Sequence, residues 1–259
     1  MRVICGAHAK TAIEYLYLET GEKPLRHIIT NRRLMYLKHI LHKDDKELVK
    51  RVFRAQQDDT TKGDFIDQIR KDFELIGEQY CEDKIMNQTK HEFKHYIKKK
   101  VNDAALKYLQ DLQKGHSKTK NIKYEKLQIQ PYIESPTFNN KLVSLLFNMR
   151  SSMTKGIKNN FSSINIGDNS CSMKCSENPP IETQAHVLDC PALTDKLTYE
   201  EKIAATGVEY NHIYGSVEEE RGVILMLARL LDIREEVLEE RESSLPVGTT
   251  GPEANIISS

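Results

Sequence analysis

Apolar residues along this chain recur mostly at intervals of three and four, the spacing that places them on one face of a helix. Thr11 to Leu18 reads as a short helix that Gly21 ends, and Pro24 opens the next at its first turn. From Leu25 to Gln56 the repeat runs through Ile28, Ile29, Leu34, Leu37, Ile40 and Leu41, then Leu48, Val49, Val52 and Phe53. Asp44-Asp45 stands where it can cap a second helix within that stretch. Gly63 to Ile76 repeats the pattern with Phe65, Ile66, Ile69 and Phe73, and Gly77 is its stop signal. The clearest element is Thr89 to Gly115. Thr89 with Glu92 makes a capping box, Phe93, Ile97, Val101, Ala104, Tyr108 and Leu112 line one face, and Gly115 is placed for a left-handed end.

Beyond that helix the pattern changes. Residues 121–134 alternate loosely through Ile122, Tyr124, Leu127 and Ile129, which predicts an extended segment or one strand pair. Ser135-Pro136 supplies an N-cap and a first-turn proline for a helix with Phe138, Leu142, Leu145, Leu146 and Met149 on its apolar face. Glycine, asparagine and serine thicken over residues 159–170 into a loop. Two more capping boxes follow, Thr198 with Glu201 and Ser216 with Glu219, and Glu218 to Glu220 occupy a first turn where the helix dipole favours acids. The last residues, 243–259, have no period and read as a disordered tail. The expected fold class is mainly α.

Composition narrows the setting. The longest near-apolar run, Gly222 to Leu231 with Arg229 inside it, falls short of the roughly 20 residues that cross a bilayer. No secretory start is visible, and five cysteines, an odd number, argue against a disulfide framework. An intracellular soluble protein is expected, without a membrane or a small-molecule substrate. Net charge is zero, yet residues 1–160 hold 31 Lys+Arg against 20 Asp+Glu, while residues 161–259 hold 7 against 18. A basic part beside an acidic part suits a polyanion-facing surface.

Cys171, Cys175, His186 and Cys190 form C-x3-C-x10-H-x3-C. Zinc takes four tetrahedral sulfur and nitrogen ligands, and His186 and Cys190 would share one face of a helical turn. Four protein ligands leave no open position for water, so such a site is structural. The competing reading is three small buried thiols beside an incidental histidine. Cys5 and Cys81 have no neighbours and read as inert thiols.

Between Lys84 and Lys126 lie twelve lysines and four acids, with Lys94 and the run Lys98-Lys99-Lys100 beside the apolar stripe. Point charges of this kind suit phosphate backbones and would bind more weakly as salt rises; a merely solvated helix face is the alternative. Arg26, Arg32, Arg33 and Lys38 make a second patch, with no acid between Leu25 and Lys43 to pair with them. Catalytic signatures are missing: no P-loop, no dinucleotide fingerprint, no nucleophile elbow and no HExxH. Asp44-Asp45 and Asp58-Asp59 lie in polar helix-flanking contexts and read as caps or surface charges.

The stretches YLYLETGEKPLRHIITNRRLMYLKHIL (Tyr15 to Leu41), KELVKRVFRAQ (Lys46 to Gln56) and GDFIDQIRKDFELIG (Gly63 to Gly77) resemble the region after the polymerase core of non-LTR (LINE-type) retrotransposon reverse transcriptases. VSLLFNMRSSMTKGIKNNF (Val143 to Phe161) and ETQAHVLDC (Glu182 to Cys190) resemble the end of the same polyproteins, and the likeness spans roughly three quarters of the chain. The resemblance implies a helical thumb-like bundle over 1–80, a basic helical linker over 81–160, a CCHC-type zinc finger over 161–195, acidic C-terminal helices over 196–242 and a tail over 243–259. It implies RNA or DNA as partner and a nuclear or cytoplasmic location. Arg26, Arg32, Arg33, Lys38, Lys94, Lys98, Lys99, Lys100, Arg150, Lys155 and Lys158 would contact phosphates. Cys171, Cys175, His186 and Cys190 would hold zinc, across a His-to-Cys gap one residue shorter than is common in such fingers. The palm with its catalytic aspartates is missing, so polymerase activity does not carry over. A helical protein-interaction module, or a retroelement fossil without selected function, are the alternatives.

Overall fold

A computed structural model describes residues 5–7, 9–58, 61–116, 118–119, 122–155, 157 and 169–243. The regular elements among them are all helical, as the spacing predicts, and the chain divides into two compact units, Met1–Ser152 and Met153–Ser259.

The first unit begins with α1 (Ile13–Thr20), which Gly21 ends in a left-handed conformation at φ 67°. Helix α2 (Leu25–Leu41) follows Pro24, and a turn in which Asp44 Oδ1 accepts the N–H of Lys46 leads into α3 (Leu48–Asp58). Helix α4 (Phe65–Leu75) is capped by Asp64, whose Oδ1 accepts from the Asp67 N–H. It closes on Gly77 (φ 70°), with Glu78 N–H bonded to Phe73 O and Gly77 N–H to Glu74 O, the paired bonds of a Schellman end. After the short α5 (Glu82–Met86), the long α6 (Lys90–Gln113) starts on the expected Thr89–Glu92 capping box. Gly115 does not turn left-handed; its N–H bonds instead to Leu112 O as the helix tightens.

The core gathers around α2. Leu34, Leu37, Ile40 and Leu41 meet Phe53, Ile66, Ile69, Phe73, Ile85, Phe93, Ile97 and Val101 from α3 to α6. The boundary expected at residue 80 is therefore absent: α6 shares its first half with the core of α2 and α4, so thumb and linker regions are one body. The buried line of α6 also differs from the expected stripe. It runs Phe93, Ile97, Val101, Ala105, Leu109, Gln113, while Tyr108 and Leu112 stay exposed.

Two further expectations are corrected. The described residues of this segment, 122–134, form no strand pair. The chain bends from Glu125 to Gln128, a single antiparallel bridge joins Thr20 to Ile129, and Pro131 then opens α7 (Pro131–Glu134). Ser135-Pro136 does not start the next helix, because Ser135 Oγ closes on Thr137 N–H and Oγ1. Asn139 caps α8 (Asn140–Arg150) instead, accepting from Leu142 N–H at 3.0 Å.

The second unit contains α9 (Gln184–Asp189), α10 (Pro191–Thr194), α11 (Tyr199–Ala204), a 3-10 turn over Tyr210–Tyr214 and the long α12 (Val217–Ser243). Both predicted capping boxes are formed: Thr198 and Glu201 exchange backbone bonds, as do Ser216 and Glu219. Val223, Leu227, Leu230, Ile233 and Val237 bury one side of α12, which packs on α9 and α10. The expected division at residue 195 is therefore not seen; the cysteine-bearing segment and the acidic helix share a core. The expected tail lies, but for Ser243, outside the described residues. No helix among those described is long and apolar enough to cross a membrane.

Candidate metal centre

Cys171 and Cys175 sit on a tight turn. Cys171 N–H bonds to Pro180 O at 2.8 Å beside the bridge between Ser170 and Ile181, which anchors the turn's entry. Lys174 N–H returns to Cys171 O at 3.0 Å, and Lys174 takes φ 47°, a left-handed conformation costing a lysine about 1–2 kcal/mol. That cost is carried next to a cysteine the cluster uses, the kind of place where local strain serves a site. His186 is presented by α9, whose cap Thr183 Oγ1 accepts the His186 N–H, and Cys190 follows at the helix end.

The three thiols and the imidazole converge so that their ligand atoms all lie within 4.8 Å of one another. Cys171 Sγ lies 3.8 Å from Cys190 Sγ, far beyond a disulfide bond, and Cys175 Sγ lies 3.5 Å from His186 Nε2. Cys171 and Cys190 are buried and the other two are half-buried. Burial and the neighbouring Cys171 thiol push Cys190 up to about 12, and burial likewise raises Cys175. Those two thiols hold their protons until a cation displaces them, and soft or borderline divalent ions suit three sulfurs and an imidazole. The four predicted ligands thus form one group that can hold a metal ion.

The predicted cationic residues scatter in fate. Lys38 is buried and cannot face a phosphate: its Nζ donates to Ile85 O at 2.5 Å and Gln88 O at 2.6 Å, serving carbonyls at the end of α5. Burial lowers its pKa. Arg150 is buried too, 3.4 Å from Glu19 Oε1 and stacked over the Tyr132 ring, while Tyr124 and Tyr132 hydroxyls donate to the two Glu19 oxygens at 2.5 and 2.6 Å. Arg33 is committed to Asp72 and Gln68. Lys100 pairs with Glu78 at 2.6 Å, and this bond, with those from Tyr96 and Lys84, holds the Glu78 carboxyl down at about 2. Arg26, Arg32, Lys94, Lys98, Lys99 and Lys155 are exposed and make no ion pair among the described residues. Lys158 lies outside them.

Sequence reasoning also missed several groups. On α2, the predicted Arg32 stands in an exposed line with Leu25, Ile29, Tyr36 and His39 at steps of three and four, and the Tyr36 and His39 rings, not singled out from the sequence, stack 6.1 Å apart. Glu182, Arg234 and Arg241 surround the cysteine turn; the heptad spacing of the two arginines with Val223, Leu227, Leu230 and Val237 was the one available signal. Comparisons with protein families, with characterised proteins and with solved structures return no match.

Proposed function

We propose that this chain is a nucleic-acid-binding protein of retroelement type, pairing a helical backbone-gripping unit with a structural zinc module and performing no catalysis of its own. The supporting observation is the exposed face of α2. Arg32 stands between Ile29 and the stacked Tyr36–His39 pair, and Arg26, also exposed, lies six residues earlier on the same helix. Aromatic rings interleaved with unpaired cations suit single-stranded RNA or DNA, because bases stack on rings while guanidinium groups meet phosphates. Lys94, Lys98 and Lys99 on α6 add charge that reads no sequence.

Zinc is the ion this donor set fits. Bonds of about 2.3 Å to sulfur and about 2.0–2.1 Å to nitrogen imply tetrahedral edges of about 3.8 Å between sulfurs and about 3.5 Å between sulfur and nitrogen. Cys171–Cys190 at 3.8 Å and Cys175–His186 at 3.5 Å have those lengths, and the remaining pairs, all within 4.8 Å, would draw in by up to about 1 Å as the ion bound. Zinc bound there would hold the turn and α9 together.

Anisotropy titration of labelled single-stranded RNA and DNA over a series of salt concentrations tests the binding. The affinity should fall linearly in log–log form. Arg26→Glu with Arg32→Glu, and separately Lys94→Glu with Lys98→Glu and Lys99→Glu, should each weaken it and reduce the slope by about 0.7 per lost contact on single strands. Binding that ignores salt, or is unchanged in both variants, rejects the reading. A second reading, a protein-docking module, draws on α11, where Tyr199 and Ile203 are exposed one turn apart.

A further inference from the structure

Three side chains outside the ligand set tie α12 to the cysteine turn. Glu182 is 1% exposed. Its Oε2 accepts the Ser172 N–H at 2.7 Å and its Oε1 accepts from Arg234 Nη2 at 2.8 Å. The same Nη2 reaches Ser172 Oγ at 3.1 Å. Two helical turns further on, Arg241 donates to Ser172 O at 3.2 Å and Met173 O at 3.4 Å. Ser172, Met173 and Lys174 are the whole stretch between Cys171 and Cys175. Helix α12 packs as well on α9, which carries His186.

We propose that Glu182, Arg234 and Arg241 are positioning residues of the metal centre, and that metal occupancy and docking of the second half of α12 are one equilibrium. This rests on the metal-binding reading above. The two arginines and Glu182 hold the backbone between Cys171 and Cys175 in the shape that aims both thiols at one point. An ion joining those thiols to His186 and Cys190 holds the same backbone, and so presents Ser172 and Met173 to the arginines. Each event stabilises what the other needs, and the effect is reciprocal by linkage. The exposed acids Glu235, Glu236, Glu239 and Glu240 ride on the half-helix concerned. Loss of the metal therefore frees an acidic segment.

The test uses the full chain loaded with zinc and titrated with a chromophoric chelator, alongside hydrogen exchange of peptides covering 234–243 and 90–113. Arg234→Met should lower zinc affinity by about 10–100-fold, the usual effect of removing a partner that orients a ligand. Arg241→Ala, at an exposed residue whose hydrogen bonds among the described residues go to backbone carbonyls, should lower it in the same sense without unfolding the unit. Arg229→Ala, which alters an α12 arginine paired with Glu201 and Glu236 instead, should leave it unchanged. Removing zinc should strip protection from 234–243 and leave 90–113 as it was. A parent chain that takes up no zinc overturns the metal reading and this proposal with it. Zinc held at parental affinity by Arg234→Met and Arg241→Ala, with 234–243 equally protected in both states, overturns the proposal alone.

Discussion

Arg150 shows how much a charged side chain's role depends on what surrounds it. In the sequence it ends an apolar helix and, by resemblance, would contact phosphates; in the structure it is 5% exposed and balances Glu19, which is fully buried. Removing one partner of such a pair strands the other, at about 3–5 kcal/mol. Arg150→Met should therefore lower the unfolding free energy of the first unit by that order, read as a lower urea midpoint at unchanged slope, and any loss of nucleic-acid binding should track unfolding. A variant that stays folded while losing affinity would return Arg150 to the contact surface. His27 offers a second check. Both ring nitrogens lack a hydrogen-bond partner among the described residues, the ring lies 5.5 Å from Tyr108, and burial, with Arg26 and Lys23 nearby, lowers its pKa from 6.5. The unfolded chain then takes up a proton that the folded one refuses. Its contribution is whole above pH 6.5 and is lost as pH falls below that. Urea unfolding compared between about pH 7.5 and 5.5 should show a smaller loss in His27→Leu than in the parent. Parallel losses would show that His27 plays no part.

At the scale of elements, helix starts were legible because capping acts within three residues. Thr89, Thr198 and Ser216 all cap where their sequence spacing says. The buried face of α6 was less legible. Its expected stripe from Phe93 to Leu112 takes one step of three among steps of four, but the buried residues step by four throughout from Phe93 to Gln113, so the face wraps around the helix. The reason is a change of neighbour: the first half joins the core built around α2, whereas Gln113 and Gln110 bond to the chain at Thr119, Ile122 and Tyr124. The two helix-ending glycines differ in the same way. A Cβ on Gly21 would stand 2.4 Å from backbone atoms of Gln128 and Ile129, whereas one on Gly77 would meet nothing within 4 Å. Gly77→Ala should cost about 1–2 kcal/mol for its left-handed backbone. Gly21→Ala should cost clearly more, since backbone must also move. Equal melting shifts would mean that the Thr20–Ile129 contact yields freely.

For the whole molecule, the charge asymmetry falls close to the structural division. The basic part is almost entirely the first unit and the acidic part the second. If the second unit owes its fold to the metal, a strong chelator should lower one melting transition and leave the other in place, read by calorimetry with and without added zinc. A single transition shifted as a whole would make the two units one cooperative body.

The sequence by itself determined the helical class, most helix ends and the four members of the metal group. Those features depend on spacings of three or four residues and on a few turn-forming positions, which local chemistry settles. Only the tertiary structure decided the fate of the charges. Thr30 and Arg33 meet Asp72 across 42 and 39 positions, and Arg234 meets Glu182 across 52. Whether a cation faces water or a buried carboxylate is set by which distant helix packs against it, and no local period encodes that choice. The same long-range packing merged the expected thumb and linker, and joined the acidic helix to the cysteine turn.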